Sequence, residues 1–529
     1  MESQYKVMRA SAKLGQADTL EEIVFGEQRV TIEDVVAIAN GVSGAVLDAD
    51  GVLSRRTRAG TQFMERLLEE DGVIYGVTTG FGDSCTVTVP LDRINELSRR
   101  LIEFHTVGMG AMFSRQEGRA ILVARLSSLS QGYSGVSWEL LELLTTLISQ
   151  DIVPVIPQEG SVGASGDLTP LSYVVGVLIG ERDVYFQGGT RPAKEVLEQL
   201  GIKPIELQPK EGLAVMNGTS VMTGLACLVW SRAEYLTRLC SRITAMCSLG
   251  LQGNSNHFDD LLFELKPHPG QSEIARWIQQ DLNHQSHPRN SPRLQDRYSI
   301  RCAPHVIGVL RDSLPWMRSM IETELNSVND NPIIDGEGEH IFHGGHFYGG
   351  HIALVMDTMK NCVANLADLM EKQLALLVDV KFSNGLPSNL SGASADDRML
   401  NHGFKAVQIA VSAWTAEALK NTMPASVFSR STECHNQDKV SMGTIAARDC
   451  MRVLELTEQA AAAMLISAGQ ALELRLRCGE LDRVSLSNSV LCTLDEVFAE
   501  FEFITNDRAL DKDLRNFVKL IQEQHWSTY

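Results

Sequence analysis

The run Ala164-Ser165-Gly166 joins three residues whose small side chains permit unusual backbone chemistry. A strained loop can bring the unhindered amide nitrogen of Gly166 against the carbonyl carbon of Ala164. Ring closure releases one water and loss of the Ser165 hydroxyl releases another, which leaves a conjugated methylidene-imidazolone. This ring is an electrophile that no ordinary side chain provides. The alternative for so short a run is a plain turn in which Asp167 caps the next helix.

The longer run GSVGASGDLTPLSY, residues 160–173, resembles the signature of the aromatic amino-acid ammonia-lyase and 2,3-aminomutase family, which includes histidine, phenylalanine and tyrosine ammonia-lyases. The resemblance extends from about residue 70 to residue 445. It implies that Ala164, Ser165 and Gly166 form 4-methylideneimidazole-5-one (MIO) autocatalytically, with no metal or dissociable cofactor. It also implies the mainly α ammonia-lyase fold, in which a long central helix bundle carries a smaller mixed N-terminal part with the MIO loop.

The resemblance gives roles to two further residues. Tyr75, in YGVTTGFGD, matches the tyrosine that takes the β-proton of the substrate. A free phenol titrates near pH 10, so this role requires a lowered pKa or a brief proton transfer in a dry site. Asn217, in AVMNGTS, matches the asparagine that bonds near the electrophile. Without the family match, Tyr75 is a packed aromatic in a turn and Asn217 is part of a turn.

The segment QDRYSIRC, residues 295–302, matches a wall of the family's substrate site. The resemblance implies that Arg301 binds the substrate carboxylate, for which the planar guanidinium fork suits better than a lysine. Gln295 and Tyr298 match residues that line the reacting centre, and Tyr298 is assigned to the catalytic group. An isolated arginine at such a helix start is otherwise a surface ion pair.

Two later loops resemble further parts of the site. The segment ECHNQD places Glu433, Asn436 and Gln437 beside the bound amino group, although a capping or ion-pair role is the alternative for Glu433. The loop GGHFYGG places Phe347 in the wall. Many family members have Asn where this chain has His346, so the role of that position stays open.

Substrate choice depends in this family on a residue pair that matches Phe104 and His105. An aromatic residue before a histidine that can bond a phenol favours the bacterial tyrosine and phenylalanine branch. The run LTPLSY after Asp167 differs from the LAPLAH that histidine lyases usually carry. The sequence therefore predicts deamination of tyrosine, then phenylalanine, to coumarate or cinnamate. A tyrosine or phenylalanine 2,3-aminomutase is the alternative, followed by a histidine ammonia-lyase and a non-catalytic relative.

The elements that position these residues are predicted to be mostly helices. Apolar residues recur at helical spacing over residues 217–249, 305–326, 352–380 and 444–477, and a bundle is the simplest way to bury such long helices. The segment DVYFQGGTRPA predicts a strand hairpin. We therefore predict a mixed domain over residues 1–220, with the Tyr75 loop and the MIO loop, and a long-helix bundle domain over residues 221–529.

Composition bounds the partners and the compartment. The formal charge is −19, from 47 Lys and Arg against 66 Asp and Glu, which argues against nucleic acid or an anionic membrane as partner. No stretch approaches a membrane span, residues 1–22 show no secretory signal, and the ten cysteines form no CxxC pair, so we expect a cytoplasmic enzyme with reduced, mostly buried thiols. The resemblance implies a homotetramer with shared active sites.

Overall fold

The computed structural model describes residues 21–26, 28–70, 72–287, 289–291 and 293–529. Residues 1–20, on which most of the leader prediction rests, lie outside this part. Helices dominate the described residues. They are α1 (Ile32–Ala39), α2 (Val52–Glu69), α3 (Ile94–His105), α4 (Arg115–Leu129), α5 (Trp138–Ser149), α6 (Leu168–Leu178), α7 (Ala193–Leu200), α8 (Glu211–Met216), α9 (Ser220–Gly250), α10 (Asp260–Glu264), α11 (Pro269–Asp281), α12 (Tyr298–Arg301), α13 (Ala303–Leu325), α14 (Gly350–Val378), α15 (Lys405–Lys420), α16 (Gly443–Arg477), α17 (Asn488–Glu500) and α18 (Asp511–Gln522).

The strands are short and form four small sheets within the described residues. The predicted hairpin is confirmed, with Asp183 opposite Pro192. The other strands are too short to give a clear alternating pattern, which is why the sequence did not predict them. The sheets are β1 (Glu21–Phe25) parallel to β2 (Ser43–Leu47), β3 (Met109–Met112) antiparallel to β5 (Pro157–Glu159), β4 (Val153–Pro154) beside the hairpin β6 (Asp183–Phe186) and β7 (Gly189–Pro192), and β8 (Ile333–Asp335) antiparallel to β9 (His340–Phe342).

The four long helices confirm the helical prediction to within a few residues. They are α9, α13, α14 and α16, which have 31, 23, 29 and 35 residues. The alanine run Ala460–Ala463 in α16 is fully buried, as expected where helices approach closely. The mainly α fold with a long-helix body is therefore confirmed, and none of the described helices has the length and hydropathy that crossing a membrane requires.

The chain forms two compact units, each built from three separate segments. Unit 1 contains residues 1–228, 318–356 and 424–448, and unit 2 contains residues 229–317, 357–423 and 449–529. The division at residue 220 that the sequence predicts stays a prediction. Four of the five boundaries fall inside the long helices α9, α13, α14 and α16, and the fifth follows Met423, after the end of α15.

Unit 1 holds the Ala164-Ser165-Gly166 run on a buried framework. Helix α4 begins at a reciprocal cap, in which Ser114 Oγ accepts the Glu117 N–H and the Glu117 carboxylate accepts the Ser114 N–H. Every residue of α4 from Gly118 onward is buried. Helix α6 starts directly after the run and packs against α3 and α8. The loop is therefore fixed at its C-terminal end by packed helices.

Unit 2 is stabilised by buried polar contacts as well as by apolar packing. Arg242, on α9, donates from Nε to Asp281 at 2.5 Å and from Nη1 to the carbonyl oxygen of Ser489 at 2.9 Å. The ring of Tyr529 stacks on Trp277 with centroids 4.6 Å apart. All ten cysteines are free, as expected, but four of them are buried, two half-buried and four exposed.

Candidate active site

The Ala164-Ser165-Gly166 loop has a backbone conformation that only small residues adopt easily. Ser165 has φ +52° and Gly166 has φ +75°, both in the left-handed region. A side chain at Gly166 would overlap the carbonyl group of Gly218, with which Gly166 forms a parallel bridge. The N–H of Asp167 donates to the Gly218 carbonyl oxygen at 2.7 Å. The loop therefore packs directly against the backbone of Gly218.

Asp167 caps a different helix from the one that the sequence suggested. Its side chain makes no cap for α6, which follows it directly. Instead Oδ2 accepts the N–H groups of Val221 and Met222 at 3.0 and 3.1 Å, at the start of α9. Thr444 also donates to this fully buried carboxylate. Burial raises the pKa of Asp167, and these donors oppose the rise. Through these hydrogen bonds Asp167 joins the loop to α9 and α16.

Asn217 contacts the loop directly. Its Nδ2 donates to the carbonyl oxygen of Ser165 at 3.1 Å. Its backbone carbonyl oxygen accepts from Arg125 Nη1 at 2.9 Å. Asn217 is buried, and its Oδ1 has no hydrogen-bond partner among the described residues. A buried amide oxygen without a donor is costly, and so it is a group available to a ligand.

Gln437 also contacts the loop directly. Its Nε2 donates to Ser165 Oγ at 3.1 Å, and its Oε1 accepts from Thr432 Oγ1 at 3.1 Å. The turn before it has three consecutive non-glycine residues in the left-handed region, with φ of +51°, +53° and +66° at Glu433, Cys434 and His435. Strain of this kind is typical of functional sites.

Tyr75 lies half-buried in the predicted glycine-rich loop. Its hydroxyl oxygen accepts the Gly82 N–H at 2.8 Å, and its ring meets that of His343 edge-on at 6.3 Å. Burial raises the pKa of Tyr75, the Gly82 N–H opposes the rise, and the charge of Glu433 adds to it. The phenol is therefore protonated at neutral pH. The pKa of Tyr75 is raised in this structure, whereas a base that is ionised before substrate binds requires a lowered pKa.

Phe104 and His105 end helix α3. Their rings lie 4.3 Å apart, and Phe104 is 56% exposed. His105 Nδ1 lies 2.9 Å from the carbonyl oxygen of Leu101. A carbonyl oxygen only accepts, so Nδ1 carries the proton of the neutral ring. Burial lowers the pKa of His105, which leaves Nε2 as an acceptor at neutral pH.

Phe347, predicted for the wall, and Asn436, predicted beside the amino group, have fewer contacts with this group. Phe347 is half-buried in the loop before α14. The next loop glycine, Gly349, approaches the Met222 sulfur on α9 so closely that a side chain there would overlap it. Asn436 is exposed, and its backbone N–H donates to the Glu433 carbonyl oxygen at 2.9 Å. The structure thus holds the backbone of Asn436 in the polar turn.

Gln295, Tyr298 and Arg301 form a second group, in unit 2. Arg301 donates from Nε to the Asp296 carbonyl oxygen at 3.0 Å and from Nη2 to Gln295 Oε1 at 3.2 Å. Its guanidinium lies 4.7 Å from the centre of the Tyr298 ring, and Tyr298 is 71% exposed. These residues line a cavity of about 560 Å³ with Arg293, Arg297 and Lys372. The cavity is cationic, which suits a carboxylate ligand.

The residues of unit 1 fit formation of the MIO ring. The left-handed conformation of Gly166 and the lack of space for a side chain there account for the glycine. Asn217 donates to the carbonyl oxygen that such a ring would retain, and Gln437 donates to the hydroxyl that would be lost. Donors thus lie at both oxygens of Ser165.

Sequence reasoning missed two residues that support this loop. Arg125 has no role in the prediction from sequence, although a charge inside the apolar run AILVARLSSL was an available signal. Gly218 has no role there either. Both act through residues far along the chain, since Arg125 bonds Asn217 across 92 positions.

Comparison with known proteins agrees with this geometry. The family model described as aromatic amino acid lyase matches residues 30–491. A histidine ammonia-lyase of Gloeobacter violaceus is 36% identical over 502 residues, which cover 94% of this chain and 95% of that protein. A human histidine ammonia-lyase is 35% identical over 453 residues, which cover 84% and 68%.

Solved structures give the same result. Tyrosine aminomutase from Streptomyces globisporus superimposes with a TM-score of 0.87 at 32% identity, covering 96% of this chain and 97% of that chain. Phenylalanine aminomutase from Pantoea agglomerans superimposes with a TM-score of 0.87 at 30% identity, covering 95% and 99%. The chain therefore belongs to the aromatic amino acid lyase family and is a carbon–nitrogen lyase.

Proposed function

We propose that this enzyme eliminates ammonia from an aromatic L-amino acid, with L-tyrosine preferred and L-phenylalanine next, to give coumarate or cinnamate. The observation that carries the proposal is the convergence of Asn217 and Gln437 on the two oxygens of Ser165. Tyr75 belongs to the same group, because its loop is joined through Glu433 to the loop of Gln437. Electrophile, base and polar support thus lie in one unit.

In this proposal Ala164, Ser165 and Gly166 form MIO. The group supplies an electrophile for the substrate amino group, which makes that group a better leaving group. Asn217 polarises the ring carbonyl through its 3.1 Å hydrogen bond. Tyr75 removes the β-proton. Because burial raises the pKa of Tyr75, its hydroxyl ionises only at alkaline pH, and the Gly82 N–H is placed to stabilise the phenolate that forms there.

We assign binding of the substrate carboxylate to Arg301, with Gln295 and Tyr298 beside it. Two donors of the guanidinium are already used by Asp296 and Gln295, and the others are available to a carboxylate. Glu433 and Asn436 are assigned to the region of the amino group, and Phe347 to the wall.

The choice of tyrosine is supported by His105. Its Nε2 is an acceptor at neutral pH, as argued above, and an acceptor pairs with the phenol hydroxyl of tyrosine. Phenylalanine has no group to donate. Phe104 provides an aromatic face next to it. An imidazole N–H would also find an acceptor here, so histidine is included in the test.

We also propose a homotetramer in which subunits share active sites. The predicted carboxylate group is in unit 2, whereas the Ser165 group is in unit 1. Exposed apolar side chains on the helices support burial between subunits, for example Val309 on α13 at 57% and Ile409 on α15 at 61% exposure. Light scattering should give four subunits, and a stable active monomer would contradict this assembly.

The second candidate function is a 2,3-aminomutase, which returns the amine to the β-carbon after the same elimination. The aminomutases among the structural neighbours favour it. Parallel incubations with L-tyrosine, L-phenylalanine and L-histidine, followed by acrylate absorbance and chromatography of α- and β-amino acids, separate the candidates. Coumarate as the main product supports our proposal. An early β-amino acid peak identifies an aminomutase, and urocanate alone identifies a histidine lyase.

A further inference from the structure

We propose that Arg125 is a positioning residue for formation of the electrophile, holding the Asn217-Gly218 peptide as a rigid backing for Gly166. This inference rests on the proposed function, because it concerns ring closure of the Ala-Ser-Gly run. It assigns Arg125 no contact with substrate.

Arg125 is a buried cation with neutral partners. Its side chain is fully buried on α4, and among the described residues it donates only to a carbonyl oxygen, an amide oxygen and two hydroxyls. Burial lowers the pKa of this guanidinium to about 10. A desolvated charge without a carboxylate in direct contact is expensive to keep in a core. Such a cost indicates a role other than stability.

The Arg125 guanidinium contacts the Asn217-Gly218 peptide, which packs against the loop. Arg125 Nη1 donates to the Asn217 carbonyl oxygen at 2.9 Å. A side chain on Gly218 would overlap both Arg125 Nη1 and Asn329 Oδ1. Gly218 is therefore packed between this cation and the loop, with no space on the cation's side.

The other face of Gly218 meets the atoms that react. A side chain on Gly166 would overlap the Gly218 carbonyl group, and the two glycines form a parallel bridge. The N–H of Asp167 donates to the same carbonyl at 2.7 Å. Arg125, Gly218 and Gly166 thus form three successive layers, and a shift of the first layer moves the third.

The guanidinium is itself held in place. Asn329 Oδ1 accepts from Arg125 Nη1 at 3.3 Å and from Ser128 Oγ at 3.0 Å, while Arg125 Nη2 lies 3.3 Å from Ser128 Oγ. A planar fork makes these contacts together, whereas the single ammonium group of a lysine does not have the same geometry.

Ring closure depends on this placement. The Gly166 nitrogen bonds to the Ala164 carbonyl carbon, and the Ala164 oxygen leaves as water with the N–H protons of Gly166 and Ser165. The Ser165 hydroxyl then leaves as a second water with the proton from its own Cα. Because the attack is intramolecular, its rate depends steeply on the position of the nitrogen. If the Asn217-Gly218 peptide shifts by a few tenths of an ångström, the Gly166 nitrogen shifts with it and its attack on the Ala164 carbonyl carbon is slower.

The test compares Arg125→Gln with Arg119→Gln in the full-length chain. Arg119 is the control, since it is a buried arginine on the same helix whose guanidinium bonds the carbonyl oxygens of Ile38 and Ile148 and pairs with Asp151. Intact-mass measurement gives the fraction of chains that have lost two waters, and far-UV circular dichroism reports the fold. This readout is independent of turnover.

We expect folded Arg125→Gln to show less than about one tenth of the wild-type dehydrated fraction, and Arg119→Gln to match wild type. Folded Arg125→Gln with wild-type dehydration overturns the inference. If Arg125→Gln does not fold, Arg125→Lys is measured instead. We expect a dehydrated fraction below that of wild type for Arg125→Lys, and a fraction equal to wild type overturns the proposal. A wild-type chain that keeps both waters overturns the proposed function as well, so the two failures are distinguishable.

Discussion

Glu433 accepts the backbone N–H of Asp83 at both carboxylate oxygens, at 3.0 and 3.2 Å. A side chain on Gly82 would overlap the same carboxylate, so the two loops meet without a gap. This contact joins the loop of Tyr75 to the loop of Gln437. It also places a negative charge near the phenol, where it raises the pKa of Tyr75.

Glu433→Gln should lower the pKa of Tyr75, because it removes a charge that opposes ionisation of the phenol while an amide oxygen remains to accept from Asp83. If Tyr75 acts as a base, the rising limb of kcat against pH moves to lower pH. Asp438→Asn, which removes a charge from the same loop, is the control and should leave the limb in place. If the rising limb of the kcat profile stays at the same pH in Glu433→Gln, the charge of Glu433 does not affect the pKa of Tyr75.

Tyr75→Phe should reduce kcat by about 10²- to 10⁴-fold, since it removes the proposed base. The loss of two waters should be complete in this variant, because Tyr75 bonds Gly82 and not the Ala-Ser-Gly run. Tyr133→Phe is the matched control, as Tyr133 packs under Arg56 at 4.8 Å. Near-normal turnover in Tyr75→Phe would refute its assignment as the base.

Arg301→Lys should raise KM about 10- to 100-fold with a smaller effect on kcat, because a charge-assisted bond to the carboxylate is weakened. The contacts to Asp296 and Gln295 orient the guanidinium, and a lysine does not reproduce both. Steady-state kinetics provide the comparison. Arg293→Lys, in the same cavity, serves as control, and an equal rise in KM there would show that carboxylate binding is not specific to Arg301.

His105→Leu should lower kcat/KM for tyrosine about 10- to 100-fold, because the phenol hydroxyl loses its acceptor. Turnover of phenylalanine should be preserved or improved, since that side chain makes no such bond. The ratio of the two kcat/KM values is the measurement. An unchanged ratio would show that His105 does not distinguish the two substrates.

Lys210→Met should destabilise the protein by about 3–5 kcal/mol, since it leaves Asp330 buried without its partner. The two side chains are fully buried and 2.5 Å apart. Arg55→Ala breaks an exposed pair with Glu337 and should cost about 1 kcal/mol or less. Urea denaturation compares the variants, and equal midpoints for Lys210→Met and wild type would contradict the role of this pair.

The elements that the sequence predicts well have strong local patterns. Helix α16 and the hairpin β6–β7 follow from apolar spacing and from a glycine turn. The Ala-Ser-Gly chemistry is also local, because the reacting atoms belong to three adjacent residues. Its partners Asn217 and Gln437 came from the family resemblance, and the structure gives their contacts.

Other features depend on contacts that no local pattern contains. Arg125 contacts Asn329 across 204 positions, so its role follows only from the folded chain. The plain-turn alternative has Asp167 capping the helix after it, whereas in the structure its carboxylate accepts N–H groups at the start of α9, which only the folded chain brings to it. Each compact unit likewise combines three segments that lie far apart along the chain, and no local pattern shows which segments come together.

The measurement that tests the central claim most directly compares wild type with Ser165→Ala on L-tyrosine, following ammonia and coumarate together. Ser165→Ala keeps the small residue that the loop requires but has no hydroxyl to lose. Our account predicts ammonia and coumarate in equal amounts from wild type and loss of both in the variant. Undiminished release of ammonia by folded Ser165→Ala would contradict an electrophile formed from this run.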